Sequence, residues 1–155
     1  PVSAGVNGSA VENFSCVVYN VSFMNCTWQA GRGAPEDTQY FLYWKQWSDV
    51  NEMECELYIK DEHGRNTGCR FQNVMIGDMK ESVYFLVNGS SNDSLIQFYD
   101  EYIKLHKIEI LTPPVNITVN CTRGSAGCII TWNPPVTSHV KKPDCFDYEI
   151  SIQNK

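Results

Sequence analysis

The chain has 155 residues, 43% of them hydrophobic and 19% charged, with a formal net charge of −6. That length allows one domain or one and a half, and the composition is that of a globular rather than a disordered chain. An acidic balance with no basic stripe weighs against a nucleic-acid binder, and the longest apolar run, YFLYW at 40–44, is far short of the ~20 residues a membrane helix needs.

No initiating methionine or signal-peptide core stands at Pro1, so the sequence reads as a mature or excised piece, with any membrane anchor expected in a longer parent. Residues 1–12 read as a linker. Seven short segments rich in aromatic and β-branched residues follow: NFSCVVY (13–19), MNCTWQ (24–29), QYFLYWKQ (39–46), CELYIKD (55–61), GCRFQ (68–72), VYFLVNG (83–89) and LIQFYDEYIK (95–104). Gly, Pro, Asn and Asp clusters such as AGRGAPED and KDEHGRN separate them, and no segment keeps apolar residues at helical spacing for three turns. The expectation is an all-β fold: an antiparallel, fibronectin type III-like sandwich over 13–110.

Pro113 and Pro114 cannot donate ladder hydrogen bonds, so 111–114 reads as a hinge. A second strand series follows it: VNITVNC, GCIITW and DCFDYEISIQ, the last two joined by PPVTSHVKKPD. Three strands over 115–155 are too few to close a sandwich, so this part is expected to be a truncated copy of the first domain. C-x9-C-x-W at Cys16 and C-x6-C-x3-W at Cys121 form a crude internal repeat. Strand alternation puts Cys26 and Trp28 on one face and Asn25 on the other, and likewise Cys128, Ile130 and Trp132 against Asn120.

Seven cysteines and eight Asn-x-Ser/Thr sequons (Asn7, Asn13, Asn20, Asn25, Asn88, Asn92, Asn116 and Asn120) point to a glycoprotein made in an oxidising compartment. Six cysteines admit 15 pairings. Neighbouring strands favour Cys16 with Cys26, Cys55 with Cys69 and Cys121 with Cys128, each worth about 2–4 kcal/mol. Cys145 is left over, as a free buried thiol or, preferably, with a partner further along the parent chain. No closely spaced cysteine pairs suit zinc, no histidine lies in a catalytic context, and no phosphate cradle is present, so neither metal, cofactor nor enzyme activity is expected.

Binding by loops on a rigid β scaffold remains. VMIGDMKES (74–82) and PPVTSHVKKPD (134–144) place exposed apolar residues among charges, as an interface core and rim would. The alternative is that Met75 and Ile76 cap the core.

At this point the residues resemble a family. C-x9-C-x-W, a second cysteine pair and a Pro-Pro hinge into a second sandwich resemble the cytokine-binding module of class I cytokine receptors. NFSCVVYN, FMNCTW, APEDTQYFLY, YFLVNGSS, IQFYD, NITV, CIITW and CFDYE are similar to segments of the family's ligand-specific alpha chains, from about Asn13 onward. The resemblance implies the extracellular part of a cell-surface receptor, or a soluble decoy. It implies a four-helix-bundle cytokine held at the elbow between two sandwiches, and recruitment of a shared signalling beta subunit. By position it implies ligand contacts from Met75, Asp78, Met79 and Lys80 in one loop and Val136, His139, Val140 and Lys141 in the other. It also suits Cys145 to a disulfide with a later strand. The family's W-S-x-W-S motif is absent, Trp47-Ser48 lying in the first sandwich. This piece alone is therefore expected to bind weakly or not at all. An adhesion module of fibronectin-like repeats is the competing class; the paired cysteines weigh against it.

Overall fold

A computed structural model of the chain describes residues 4–74, 81–124, 127–138, 140 and 142–153. They form two compact units, 1–110 and 111–155. In the first unit the strands are β1 (Glu12–Tyr19), β2 (Phe23–Gln29), β3 (Gln39–Gln46), β4 (Met53–Glu54), β5 (Leu57–Lys60), β6 (Asn66–Phe71), β7 (Ser82–Ser90) and β8 (Tyr99–Lys104). Two four-stranded antiparallel sheets result, ordered β1-β2-β6-β5 and β4-β3-β7-β8. All-β architecture therefore holds, and among the described residues there is no α-helix.

Period-two burial explains why the sheets pack face to face. Val83, Phe85 and Val87 of β7 are buried, as are Tyr40 and Leu42 of β3 and Met24, Cys26 and Trp28 of β2. Several of the buried polar groups are tied by specific hydrogen bonds. Trp28 Nε1 donates to the Asn66 carbonyl at 3.0 Å, and Asn66 Nδ2 donates to the Tyr40 carbonyl at 2.8 Å. The Tyr40 hydroxyl donates to the Ser9 carbonyl at 2.7 Å and accepts from Gly31 N at 3.2 Å.

The disulfides follow the neighbouring-strand pairing: Cys16–Cys26, Cys55–Cys69 and Cys121–Cys128. Cys16 and Cys26 are register partners on β1 and β2. Cys55 lies between β4 and β5, where the chain passes from one sheet to the other, so its bond to Cys69 fastens that crossover. Cys145 carries a free, exposed thiol, so the buried alternative does not hold.

Three expectations need correction. Residues 6–11 are not a bare linker: Val6 bridges Ile96, and Ser9 and Val11 are buried. This close approach requires glycine, since a Cβ on Gly31 would stand 2.3 Å from the carbonyl oxygens of Gly8 and Ala10. Next, the segment 95–98 forms only isolated bridges, because its pairing is split: Leu95 meets Ser90 at the end of β7, and Ile96 meets Val6 of the N-terminal segment.

The third concerns the second unit, where β9 (Val115–Cys121) and β10 (Cys128–Asn133) form a two-stranded ladder. The expected third strand in DCFDYEISIQ does not form over its described residues. Tyr148 packs its ring against Trp132 at 5.2 Å, but strand propensity yields a strand only where a ladder partner is in register. Ile117, Ile130, Trp132, Tyr148 and Ile150 line an apolar groove of ≈ 230 Å³ in this unit.

The first strand of each unit carries an asparagine with positive φ beside a register shift: Asn13 (φ 53) in β1, and Asn116 (φ 53) in β9, opposite the shift in β10. Asparagine tolerates the left-handed region better than most residues, which suits it to a bulge.

Candidate ligand-binding loops

Ladder register brings four connections to one end of the first unit. Tyr19 pairs Phe23, Met24 pairs Phe71, Gln46 pairs Val83 and Ser82 pairs Lys104. The loops 20–22, 47–52 and 72–81 and the segment after Lys104 therefore leave from the same edge. Backbone bonds tie the 20–22 and 72–81 loops to each other and the segment after Lys104 to β1: Val74 N to Ser22 O at 2.8 Å, Val18 N to Ile108 O at 2.9 Å and Ile110 N to Val18 O at 2.8 Å. Asn20, Val21 and Asn73 all have positive φ here, at 52°, 68° and 57°. For β-branched Val21 that conformation is strained.

Beside this edge the side chains are aromatic and exposed. Trp47 is 78% and Val50 91% exposed in the loop after β3, and Trp47, Glu81, Ser82 and Tyr102 line a shallow groove of ≈ 310 Å³. Tyr84 and Tyr102 sit 5.0 Å apart between centroids, with Lys45 Nζ 5.8 Å above the Tyr84 ring. The Tyr84 hydroxyl donates to Asp100 at 3.2 Å. Partial burial, then the Asp100 carboxylate, pushes its pKa up to about 12. Tyr99, bonded to Glu101 at 2.9 Å, is pushed up to about 12 by partial burial and then by the Glu101 carboxylate.

Of the residues singled out from the sequence, Met75, Asp78, Met79 and Lys80 lie outside the described residues, as do His139 and Lys141. Their frames are visible. Val74 and Ser82 anchor the first loop as given above. In the second unit Val136 is 58% exposed. There the Thr137 hydroxyl donates to the Val140 carbonyl at 3.0 Å and accepts from Val140 N at 3.1 Å, closing a short turn. Sequence reasoning passed over Trp47 and Val50. The available signal was WKQWSDVN, a tryptophan just past a strand and followed by turn residues.

The sequon asparagines divide by exposure. Asn7, Asn13, Asn20, Asn92, Asn116 and Asn120 are exposed, while Asn25 and Asn88, within central strands, are half-buried. Asn25 Oδ1 is buried and makes no hydrogen bond.

At the opposite end of the first unit, Glu36, Asp37, Asp61, His63 and Arg65 border a polar groove. Its carboxylates serve the turns. Asp61 accepts from the backbone N–H groups of His63 and Arg65, and Asp37 from Asn92 N and Ser91 Oγ. These bonds hold both below the usual carboxylate range, with Asn92 N the main cause for Asp37 and Arg65 N for Asp61. Among the described residues no cluster of side chains could hold a metal ion.

Residues 13–108 match the family described as "Interleukin-6 receptor alpha chain, binding". The chain is 38% identical to the human interleukin-5 receptor subunit alpha over 97% of its length, spanning 37% of that protein. It is 36% identical to the human interleukin-13 receptor subunit alpha-2, covering 96% of this chain and 38% of the relative. Against the mouse granulocyte-macrophage colony-stimulating factor receptor subunit alpha it is 27% identical, over 99% of the chain and 38% of the relative. The chain thus spans little more than a third of these relatives. Among solved structures, the chicken interferon gamma receptor alpha chain superposes with a TM-score of 0.52 at 15% identity, over 83% of this chain and 56% of that one, a likeness of fold.

Proposed function

The chain belongs to the class I cytokine receptor alpha-chain family, and from that premise we propose that it is the cytokine-contacting part of a receptor alpha subunit. The observation that carries this reading is the family match over 13–108, the sandwich whose loop edge presents Trp47, Val50 and the roots of the 75–80 loop. The ligand is a four-helix-bundle cytokine, and the complex recruits a shared signalling beta subunit. The parent protein stands at the cell surface or is secreted as a soluble form; no helix among the described residues is long and apolar enough to cross a membrane. Contacts come from Met75, Asp78, Met79 and Lys80 in a loop of the first unit and from Val136, His139, Val140 and Lys141 in a loop of the second. The sequons are acceptors for N-linked sugar, the exposed ones being Asn7, Asn13, Asn20, Asn92, Asn116 and Asn120.

Two ligands compete. The FSCVVYN start and the Cys121–Cys128 pair favour granulocyte–macrophage colony-stimulating factor, by resemblance to its receptor's alpha chain. The CFDYE segment, and 38% identity against 27%, favour interleukin-5. The intact ectodomain, immobilised and exposed to each cytokine in turn by surface plasmon resonance, separates them. Capture of one, with Met79→Ala or Val140→Asp speeding dissociation, supports the reading. Capture of neither by the intact ectodomain overturns it.

A further inference from the structure

The outer face of β7 carries a sequon opposite an aromatic ring. Asn88 is the register partner of Phe41 on β3, and directly opposed residues hold their Cβ atoms about 4.5–5.5 Å apart. Gly89 faces inward, where a Cβ would meet Ile96 Cγ2 at 2.4 Å, so Asn88 and Ser90 share the outward face. Phe41 lies between buried Tyr40 and Leu42 and is itself half-buried, packed at 85° to the Tyr58 ring. Three sequon asparagines sit in ladder register. Asn25 faces Val17 and Arg70, Asn120 faces Ile129, and Asn88 alone faces an aromatic.

We propose that the first sugar of an N-linked glycan on Asn88 seats its C–H face on the Phe41 ring, so that the glycan is a packed part of the sandwich and covers this face. An aromatic face carries negative electrostatic potential and attracts the polarised C–H groups of a pyranose. The bond from Asn88 Nδ2 brings the sugar to a ring one strand away without an association cost. This inference does not depend on which cytokine the parent binds.

The test uses the intact ectodomain made in a glycosylating host. Peptide mass spectrometry should find Asn88 occupied. Ser90→Ala removes the sequon without touching Asn88 and should lower the thermal midpoint by about 2–4 °C. Trimming the glycan to its first sugar should leave the midpoint unchanged, because that sugar makes the contact. Phe41→Leu keeps an apolar side chain but loses the ring. In that background Ser90→Ala should cost less than a third as much, a coupling that only a direct contact produces. An unmodified Asn88, a midpoint lost on trimming, or equal losses in both backgrounds would overturn the proposal.

Discussion

The Tyr58 hydroxyl, carried on β5 of one sheet, accepts the backbone N–H of Leu42 on β3 of the other at 2.9 Å. It also donates to Glu54 Oε1 at 3.2 Å. β4 pairs only with Tyr43 and Trp44, so the side chain completes the edge where that two-residue strand stops. Burial, the main cause, raises the pKa of this hydroxyl and keeps it protonated. Tyr58→Phe would leave the Leu42 N–H buried without a partner, at a cost of about 1–3 kcal/mol. Urea unfolding should show a lower midpoint with an unchanged slope, and an unchanged midpoint would refute the assignment.

The Cys55–Cys69 bond spans a sequence separation of 14 and holds the crossover between sheets. A loop of that size predicts about 3 kcal/mol of stabilisation. Replacing both cysteines with alanine should lower stability by about that amount, measured by denaturant titration against the intact chain. A loss under 1 kcal/mol would mean that β4 and β5 hold the crossover without the bond.

Much of this fold was legible because burial alternates cleanly along its long strands. QYFLYWKQ was read at its true limits, and the Cys26 and Trp28 parity held, since a one-residue slip would expose both. What escaped depended on distant partners. Residues 6–11 join the unit because Gly31 and Gly33 let two backbones touch, a contact that no local propensity encodes. The Tyr148 segment has strand-like composition but no ladder partner among the described residues. Trp47 was set aside as no copy of the W-S-x-W-S motif, and its exposure was informative only once its loop was placed.

Tyr84 and Tyr99, both pushed up to about 12, make the fold sensitive to alkali. In the unfolded chain a tyrosine ionises near pH 10, while here the proton is held higher. Stability from these groups is therefore full below about pH 10 and falls as pH rises from there to about 12. Absorbance at 295 nm should resolve a late-titrating class. Asp100→Asn should bring Tyr84 down and Glu101→Gln should bring Tyr99 down. If neither midpoint moves, the carboxylates do not contribute.

Val21, at φ 68, is a β-branched residue in a conformation suited to glycine. Val21→Gly keeps the Asn20 sequon and relieves that strain, so the variant should gain about 1 kcal/mol despite glycine's larger unfolded-state entropy. The gain would appear as a higher denaturant midpoint, and a lower one would show that the Val21 side chain stabilises the turn by more than its backbone costs.

Trp47 and Val50 are too exposed to support the core, at 78% and 91%, yet their loop leaves from the same edge, and Trp47 shares a groove with Glu81 and Ser82 at the root of the 75–80 loop. Large apolar side chains held out from a rigid edge are typical anchors of a protein interface. Trp47→Ala and Val50→Asp should therefore leave unfolding within about 0.5 kcal/mol of the parent, as surface changes do. In the intact ectodomain they should speed cytokine dissociation at least about tenfold, the scale of a 1.4 kcal/mol anchor. Arg32→Ala, at the opposite end of the unit and 92% exposed at its side chain, is the control and should change neither. Dissociation rates equal to the parent's for both Trp47 and Val50 variants would move the contact surface away from this edge.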